Sequence, residues 1–456
     1  MNRIIDHFLL QWKEDYDRKP LLISGARQVG KTYSVRQLGA TYQDFVEINM
    51  ESLADIDRIF EKDLDPVRIC MELSVAVKRP IIPGKTLLFL DEIQNVPRAI
   101  TSMRYFYEMM PELHVIASGS LLNFAIEQIG IPVGRVQFLY MHPLSFIEYI
   151  AATGNNLIID QILDHSIEQE MSHFIHNKLL DLLGEYLALG GMPRSVHFWV
   201  TKKDPLGCTK VHNALLNTYR QDFAKYARKL QIKYVELLFK HVPMQLGRKF
   251  KYSIVEGDYR KRELAPALDL LITAGIAHKV FYSAGQGVPL GAQIDPQDYK
   301  VIFLDAGLAQ ALLDLDIAQW FLHPDNEFVN KGSLVEAFVG QELLAYANPY
   351  IKNDAYYWHK EGALGQAEID YLIQVGTSVI PVEVKSGTGR TLKSLQIFLD
   401  LHVKSPYGIR FSTQNYSVYN KIYSYPLYAI AKVMSDKNEE IRQAMRRLAG
   451  NGSVGH

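Results

Sequence analysis

From residue 20 to about residue 150 the chain alternates short, near-continuous apolar runs with amphipathic stretches. This rhythm restricts the region to a parallel sheet flanked by helices. The runs are Leu21-Leu22-Ile23, Asp44-Phe45-Val46-Glu47-Ile48, Thr86-Leu87-Leu88-Phe89-Leu90 and Leu113-His114-Val115-Ile116-Ala117. Val136-Gln137-Phe138-Leu139-Tyr140 is a fifth, more mixed candidate. Strands this apolar must be covered on both faces. With 456 residues the chain exceeds one typical core, and at about 100–200 residues per domain two to four domains are expected.

Beyond Leu144 the pattern becomes helical to about Lys229, with Gly190-Gly191-Met192-Pro193 as a break between helices. Residues 230–325 mix helices with short strands. Glu263 to Ala274 reads as an amphipathic helix and Ile276 to Tyr282 as the strand after it. Helix, helix and two-stranded wing is the outline of a winged helix. The last segment opens with a helix from Leu334 to Ala345 and continues β-rich around Tyr356, Ile369 and Val382, ending in a Gly-rich tail expected to be disordered.

The 49 Lys and Arg nearly cancel the 50 Asp and Glu, for a net charge of −1. Bulk charge therefore names no polyanionic partner, although a local basic face is compatible with it. Cys70 and Cys208 are the only cysteines, which excludes a disulfide scaffold and a cysteine-based zinc site. No apolar run reaches the roughly 18 residues of a membrane span. Asp6 and His7 interrupt the N-terminal apolar stretch and no small-residue cleavage site follows, so it reads as an amphipathic helix rather than a signal peptide. A cytoplasmic setting and no membrane partner are expected.

Gly25-Ala26-Arg27-Gln28-Val29-Gly30-Lys31-Thr32 matches the phosphate-loop pattern G-x-x-x-x-G-K-[ST]. It sits between a strand and a helix candidate (Tyr33 to Leu38), the context the motif requires. Glycines let backbone N–H groups close around phosphate oxygens, the helix N-terminus adds partial positive charge, Lys31 reaches the β- and γ-phosphates and the Thr32 hydroxyl binds Mg²⁺. Further on, Leu87-Leu88-Phe89-Leu90-Asp91-Glu92 is an apolar strand ending in two carboxylates. Asp91 would hold the Mg²⁺ and Glu92 would act as general base on the attacking water. Ser118, at the end of the fourth strand candidate, either contacts the γ-phosphate or lytic water or belongs to an ordinary turn capping the next helix. Arg135 either reaches the nucleotide of a neighbouring copy in a homo-oligomer or is a surface arginine. ATP and Mg²⁺ are the expected ligands.

A second constellation lies near the C-terminus. Ala367-Glu368-Ile369-Asp370-Tyr371-Leu372-Ile373, a turn at Gly376, and Val379-Ile380-Pro381-Val382-Glu383-Val384-Lys385 read as a hairpin. Strand alternation puts Glu383 and Lys385 on one face and Val382 and Val384 on the other. Asp370 and Glu383 could jointly bind Mg²⁺ or Mn²⁺, Glu336 on the preceding helix could add an acid, and Lys385 could orient the water attacking a phosphodiester. Gln396 follows on the next helix. The alternative is a salt-bridged surface hairpin. Residues 248–262 hold Arg248, Lys249, Lys251, Arg260, Lys261 and Arg262 against only Glu256 and Asp258, with Tyr252 and Tyr259 between them. Lys225, Arg228, Lys229 and Lys233 form a second basic group upstream. This is either a DNA-phosphate-contacting surface or a solvated helix or interdomain face.

Taken together, these motifs resemble the prokaryotic AAA-type ATPases that carry a C-terminal DUF4143 domain. The resemblance runs through the phosphate loop, Leu90-Asp91-Glu92-Ile93-Gln94, Ser118-Gly119-Ser120-Leu121-Leu122, Gly134-Arg135, Pro143-Leu144-Ser145-Phe146, Gly190-Gly191-Met192-Pro193, Phe303-Leu304-Asp305-Ala306-Gly307-Leu308 and the Glu336, Asp370, Glu383-Val384-Lys385 set. It implies a multidomain α/β protein in three modules: an AAA-like P-loop ATPase with a helical lid at 1–200, a winged-helix-like middle at 201–330, and a restriction-endonuclease-like, PD-(D/E)xK nuclease-like domain at 331–456. In that fold Asp370, Glu383 and Lys385 match the motif and Glu336 stands on the first helix. Tyr33 departs from the family, where a small polar residue is commoner, without touching Thr32. Two functions from different classes follow: an ATP-dependent DNA-processing enzyme, favoured by the complete acid–acid–lysine set, and a nucleotide-gated switch whose C-terminal fold only binds, favoured by the lack of a helicase-type motif set.

Overall fold

The structure is a computed structural model describing residues 1–52, 55–130, 134–227, 231–360, 366–386 and 392–450. Arg228, Lys229 and the tail 451–456 lie outside the described residues. The chain forms two compact units. One comprises Arg3–His142 together with Asn348–Lys352; the other comprises Met1–Asn2, Pro143–Ala347 and Asn353–His456.

The N-terminal unit is built on β1 (Leu21–Ser24), β2 (Asp44–Asn49), β3 (Thr86–Asp91), β4 (His114–Gly119) and β5 (Gln137–Tyr140). Their order is β2-β3-β4-β1-β5, and every pairing is parallel. All five expected strands form. β1 and β3 are buried along their whole length, as their unbroken apolar sequence requires. Register aligns the carboxyl ends: Ser24 pairs with Gly119, Asp91 with Ser118, and Asn49 with Asp91. In such sheets ligands bind at that edge. The edge strand β5 is completed from far along the chain, where the Tyr140 N–H donates to the Pro349 carbonyl at 2.8 Å and Tyr350 packs edge-on against Phe8.

The larger unit contains an eight-stranded mixed sheet of β6 (Ala277–Ser283), β7 (Ile294–Phe303), β8 (Ala355–Lys360), β9 (Ala367–Val375), β10 (Ser378–Lys385), β11 (Gly408–Ser412), β12 (Ser417–Tyr419) and β13 (Ile422–Pro426). Its order is β12-β13-β11-β10-β9-β8-β6-β7. The β9–β10 hairpin forms as expected, with Ile380 opposite Ile373. The expected module boundaries do not coincide with this architecture. The helices expected as a lid, Phe146–Ala152, Leu157–Asp164, His173–Leu189 and Pro193–Lys202, belong to the larger unit and not to the phosphate-loop unit. The expected wing, β6–β7, is not free: β6 pairs in parallel with β8 from Val280 opposite Ala355 to Tyr282 opposite Tyr357. A division at 330/331 therefore cuts one sheet. Local periodicity reveals a hairpin after two helices, but not a pairing made some 75 residues away.

Three of the family-like motifs meet at one buried junction. The Asp305 carboxylate accepts from the backbone of Gly191 at 2.6 Å and of Leu308 at 2.9 Å. Gly190 sits at φ +68°, and a Cβ there would strike the Asp305 carboxylate. Leu144 donates to the Gly191 carbonyl at 2.7 Å. Phe146 N–H donates to Glu342 at 3.0 Å, a carboxyl that burial pushes up to about 8. These motifs build the interior of the larger unit.

Candidate functional site

Between β1 and the helix Lys31–Gly39 the loop bends at Gln28, φ +65°, and at Gly30, φ +106°. Gly30 precedes the helix in left-handed conformation, which costs a residue without Cβ nothing. Alternating right- and left-handed backbone turns N–H groups inward as an anion-binding concavity. Lys31 is buried, and its ammonium donates to the carbonyls of Gly25 at 2.8 Å and Ala26 at 2.9 Å. Burial lowers it to about 8, against the opposing pull of Glu92 and Asp91.

Asp91, at the end of β3, joins the other half of the site. Its Oδ2 accepts from Thr32 Oγ1 at 2.9 Å and its Oδ1 from Ser118 Oγ at 2.5 Å. The two residues expected on Mg²⁺ are thus already side by side, and a hard cation that takes one protein carboxylate, a hydroxyl and substrate phosphates fits this donor set. Ser118 orients Asp91. It is not the cap of the next helix, whose first-turn neighbour Leu121 supplies no side-chain cap. Glu92 adopts the left-handed region, φ +53°, and its Oε2 accepts from Gln94 Nε2 at 2.6 Å and from Ser120 Oγ at 3.3 Å. Burial alone would raise Glu92, but the Gln94 hydrogen bond and nearby Lys31 outweigh it and hold the carboxyl below its ordinary value. Arg135 is exposed and held by Glu108 at 2.8 Å, a carboxylate shared with Arg104.

In the larger unit, Glu336, Asp370, Glu383 and Lys385 do come together, but around a residue that the motif reading missed. Lys300 of β7 is buried, with its ammonium 2.8 Å from Glu336, 2.5 Å from Glu368 and 3.7 Å from Asp370, and 5.2 Å above the Tyr357 ring. Burial opposes its charge, yet Glu336, Asp370 and Glu368 raise it above the ordinary lysine value. Asp370 spends its Oδ2 on the Val384 N–H at 2.7 Å, and Lys385 pairs with Glu383. Burial, with Asp370 adding its charge, pushes both Glu336 and Glu383 up to about 7. The expected Glu336, Asp370 and Glu383 metal set does not form as such: among the described residues no three His, Cys, Asp or Glu side chains are arranged to hold a metal ion. Lys300 lies among Glu336, Glu368 and Asp370, and Glu383 is turned to Lys385. Gln396 is exposed on the following helix.

Next to Lys300, Asp298 accepts from Lys249 at 2.6 Å and lies 3.0 Å from His359 Nε2, with the Tyr357 hydroxyl bonded to its other oxygen. Arg248, Lys249, Lys251, Arg260, Lys261 and Arg262 are all exposed, so the basic stretch is a surface, with Lys249 already paired. Lys233 lies over the rings of Tyr234 and Tyr259. The signal that could have revealed Lys300 is its position: a lysine leading directly into Val301-Ile302-Phe303. For Gln94 it is an amide two residues after the paired carboxylates.

A phosphate loop on β1, a strand-end Asp-Glu pair on β3 and a polar residue on β4, at one edge of a β2-β3-β4-β1-β5 parallel sheet, define a P-loop nucleotide-binding module. An AAA domain model matches residues 17–150, a domain of unknown function, DUF8612, matches 180–319, and DUF4143 matches 331–430. The chain thus carries an AAA domain at 17–150 and a DUF4143 domain at 331–430. No curated protein matches it. Among solved structures it is similar to the Walker-type ATPase PABY2304 of Pyrococcus abyssi, at 14% identity over 68% of this chain and 94% of that one, TM-score 0.43. It is also similar to the Aeropyrum pernix ORC1 protein in complex with DNA, at 12% identity over 68% and 90%, TM-score 0.27. No helix among the described residues is long and apolar enough to cross a membrane.

Proposed function

We propose that the chain is a Mg²⁺-dependent ATP-hydrolysing switch, in which turnover at the phosphate loop controls how the DUF4143 part engages DNA. The observation that carries this reading is the Thr32–Asp91–Ser118 contact with Glu92 beside it. Lys31 would leave the Gly25 and Ala26 carbonyls for the phosphates. Thr32 and Asp91 would hold Mg²⁺, which screens phosphate charge when bound. Glu92, ionised at neutral pH, would take a proton from the attacking water, with Gln94 and Ser120 fixing its carboxylate. Arg135 would serve a neighbouring copy only by giving up Glu108. Exposed Arg248, Lys251, Arg260, Lys261 and Arg262 are the proposed DNA contacts, and two free buried cysteines fit a cytoplasmic setting.

The competing reading is a metal-dependent phosphodiesterase at Asp370, Glu383 and Lys385. It draws on the convergence of those side chains of β9 and β10 with Glu336 of the helix Gly332–Ala345. Two measurements separate the readings. Phosphate release with Mg²⁺ should be clear for the wild type and lost in Glu92→Gln, which should still bind nucleotide; a wild type that binds ATP and never releases phosphate refutes hydrolysis. Circular and linear DNA with Mg²⁺ or Mn²⁺, with and without ATP, should be bound and left intact. Cutting that disappears in Asp370→Ala and Lys385→Ala would replace the switch with the nuclease.

A further inference from the structure

We infer that Lys300 is the resident cation of the C-terminal acid cluster, held among Glu336, Glu368 and Asp370 beside the Glu383–Lys385 pair, where it competes with any divalent metal. The inference rests on the binding reading of the DUF4143 part and extends it: the site is neutralised by the chain itself and does not load Mg²⁺ or Mn²⁺. In the sheet order β7 is three positions from β9, with β8 and β6 between. Lys300 nevertheless reaches Glu368 and Asp370 of β9 and Glu336 of the helix Gly332–Ala345. Its ammonium lies over the ring of Tyr357 on the intervening strand β8.

At least one oxygen of each of Glu336, Asp370 and Glu383 is already engaged, while Glu383 Oε2 is buried without a hydrogen-bond partner among the described residues. Asp370 gives one to a backbone N–H and turns the other toward Lys300. Glu336 Oε1 is bonded to Lys300 and Glu383 Oε1 to Lys385. Mg²⁺ needs near-octahedral oxygens at about 2.0–2.1 Å, and an ammonium at hydrogen-bond distance from the same carboxylates excludes that approach sterically and by charge. Burying a carboxylate without a cation is costly, so the lysine also explains why these acids persist inside the fold.

The test is Mn²⁺ titration of the intact, nucleotide-free chain, following free Mn²⁺ by electron paramagnetic resonance. Wild type and Asp370→Asn should give superimposable curves. Lys300→Met, folded by circular dichroism, should gain a site at least tenfold tighter than anything in the wild type, and Lys300→Met/Asp370→Asn should lose it. A wild-type site that Asp370→Asn removes overturns the inference, as does folded Lys300→Met without a gain. Should Lys300→Met fail to fold, the wild-type and Asp370→Asn pair decides alone. None of these readouts depends on ATP turnover or DNA binding, so failure here is distinct from failure of the switch.

Discussion

Raising the pH should weaken nucleotide binding through Lys31. Its ammonium is buried, hydrogen-bonded to the Gly25 and Ala26 carbonyls, and titrates at about 8. Bound phosphates would add their negative charge to that of Glu92 and Asp91 and return the group to about its ordinary value of 10.5. Binding then takes up a proton: about half a proton at pH 8, and nearly a whole one at pH 9.5. Between pH 7 and pH 9.5 affinity should fall roughly 30-fold, about 2 kcal/mol. Fluorescent-nucleotide titration across this range measures the affinity. Calorimetry at pH 8 in two buffers of different ionisation enthalpy measures the proton. ATP is fully ionised above pH 8, so the signal belongs to the protein. Flat affinity from pH 7 to 9.5, with heats that ignore the buffer, would refute the reasoning; Lys31→Met should be weaker and flat.

Gln94→Ala should lower turnover by about ten- to a hundredfold while leaving nucleotide affinity near wild type, because it frees the base without removing it; comparison of kcat with binding checks this. Glu342, raised to about 8 by burial, keeps its proton in the folded unit while the unfolded chain loses it near 4.5. Stability of the larger unit should therefore fall as pH rises from about 4.5 to 8, by a total on the order of 4–5 kcal/mol, and level off above that. Glu342→Gln should abolish that part of the slope. Tryptophan fluorescence follows the unfolding well, since Trp199, Trp320 and Trp358 all lie in the larger unit; an unchanged slope would sink the assignment. Gly190→Ala forces a Cβ into left-handed backbone and onto Asp305, and should cost about 2–4 kcal/mol of the same transition.

The phosphate-loop half was readable in the chain because its chemistry is local. Loop, helix start and strand-end carboxylates are contiguous motifs, and parallel strands bring their ends together without further information. Apolar runs in the sequence became the buried strands of the first sheet with shifts of a residue or so. The larger unit was less legible. Glu383 and Lys385 could be placed on one face from alternation, but Lys300 reaches Asp370 from a strand 70 residues earlier in the chain. No spacing rule encodes that. Arg135 and Ser118 had roles that depend on which carboxylate lies opposite, Glu108 and Asp91, and only tertiary packing decides it. Gly190 and Asp305, quoted as motif residues, turn out to be mutual steric and hydrogen-bond partners in the core.

The borrowing of Asn348–Lys352 by the N-terminal unit has a consequence for biogenesis. As the chain emerges from the ribosome, β1 to β5 are available once His142 is out, yet the Tyr140 N–H on the edge strand waits for the Pro349 carbonyl. At about 5–20 residues per second that interval is roughly 10–40 s. During it the nucleotide module carries an open β-edge, the kind of surface that invites pairing with another chain. A nascent chain stalled between these two points should therefore be the most aggregation-prone form of the protein, and the one that holding chaperones would meet.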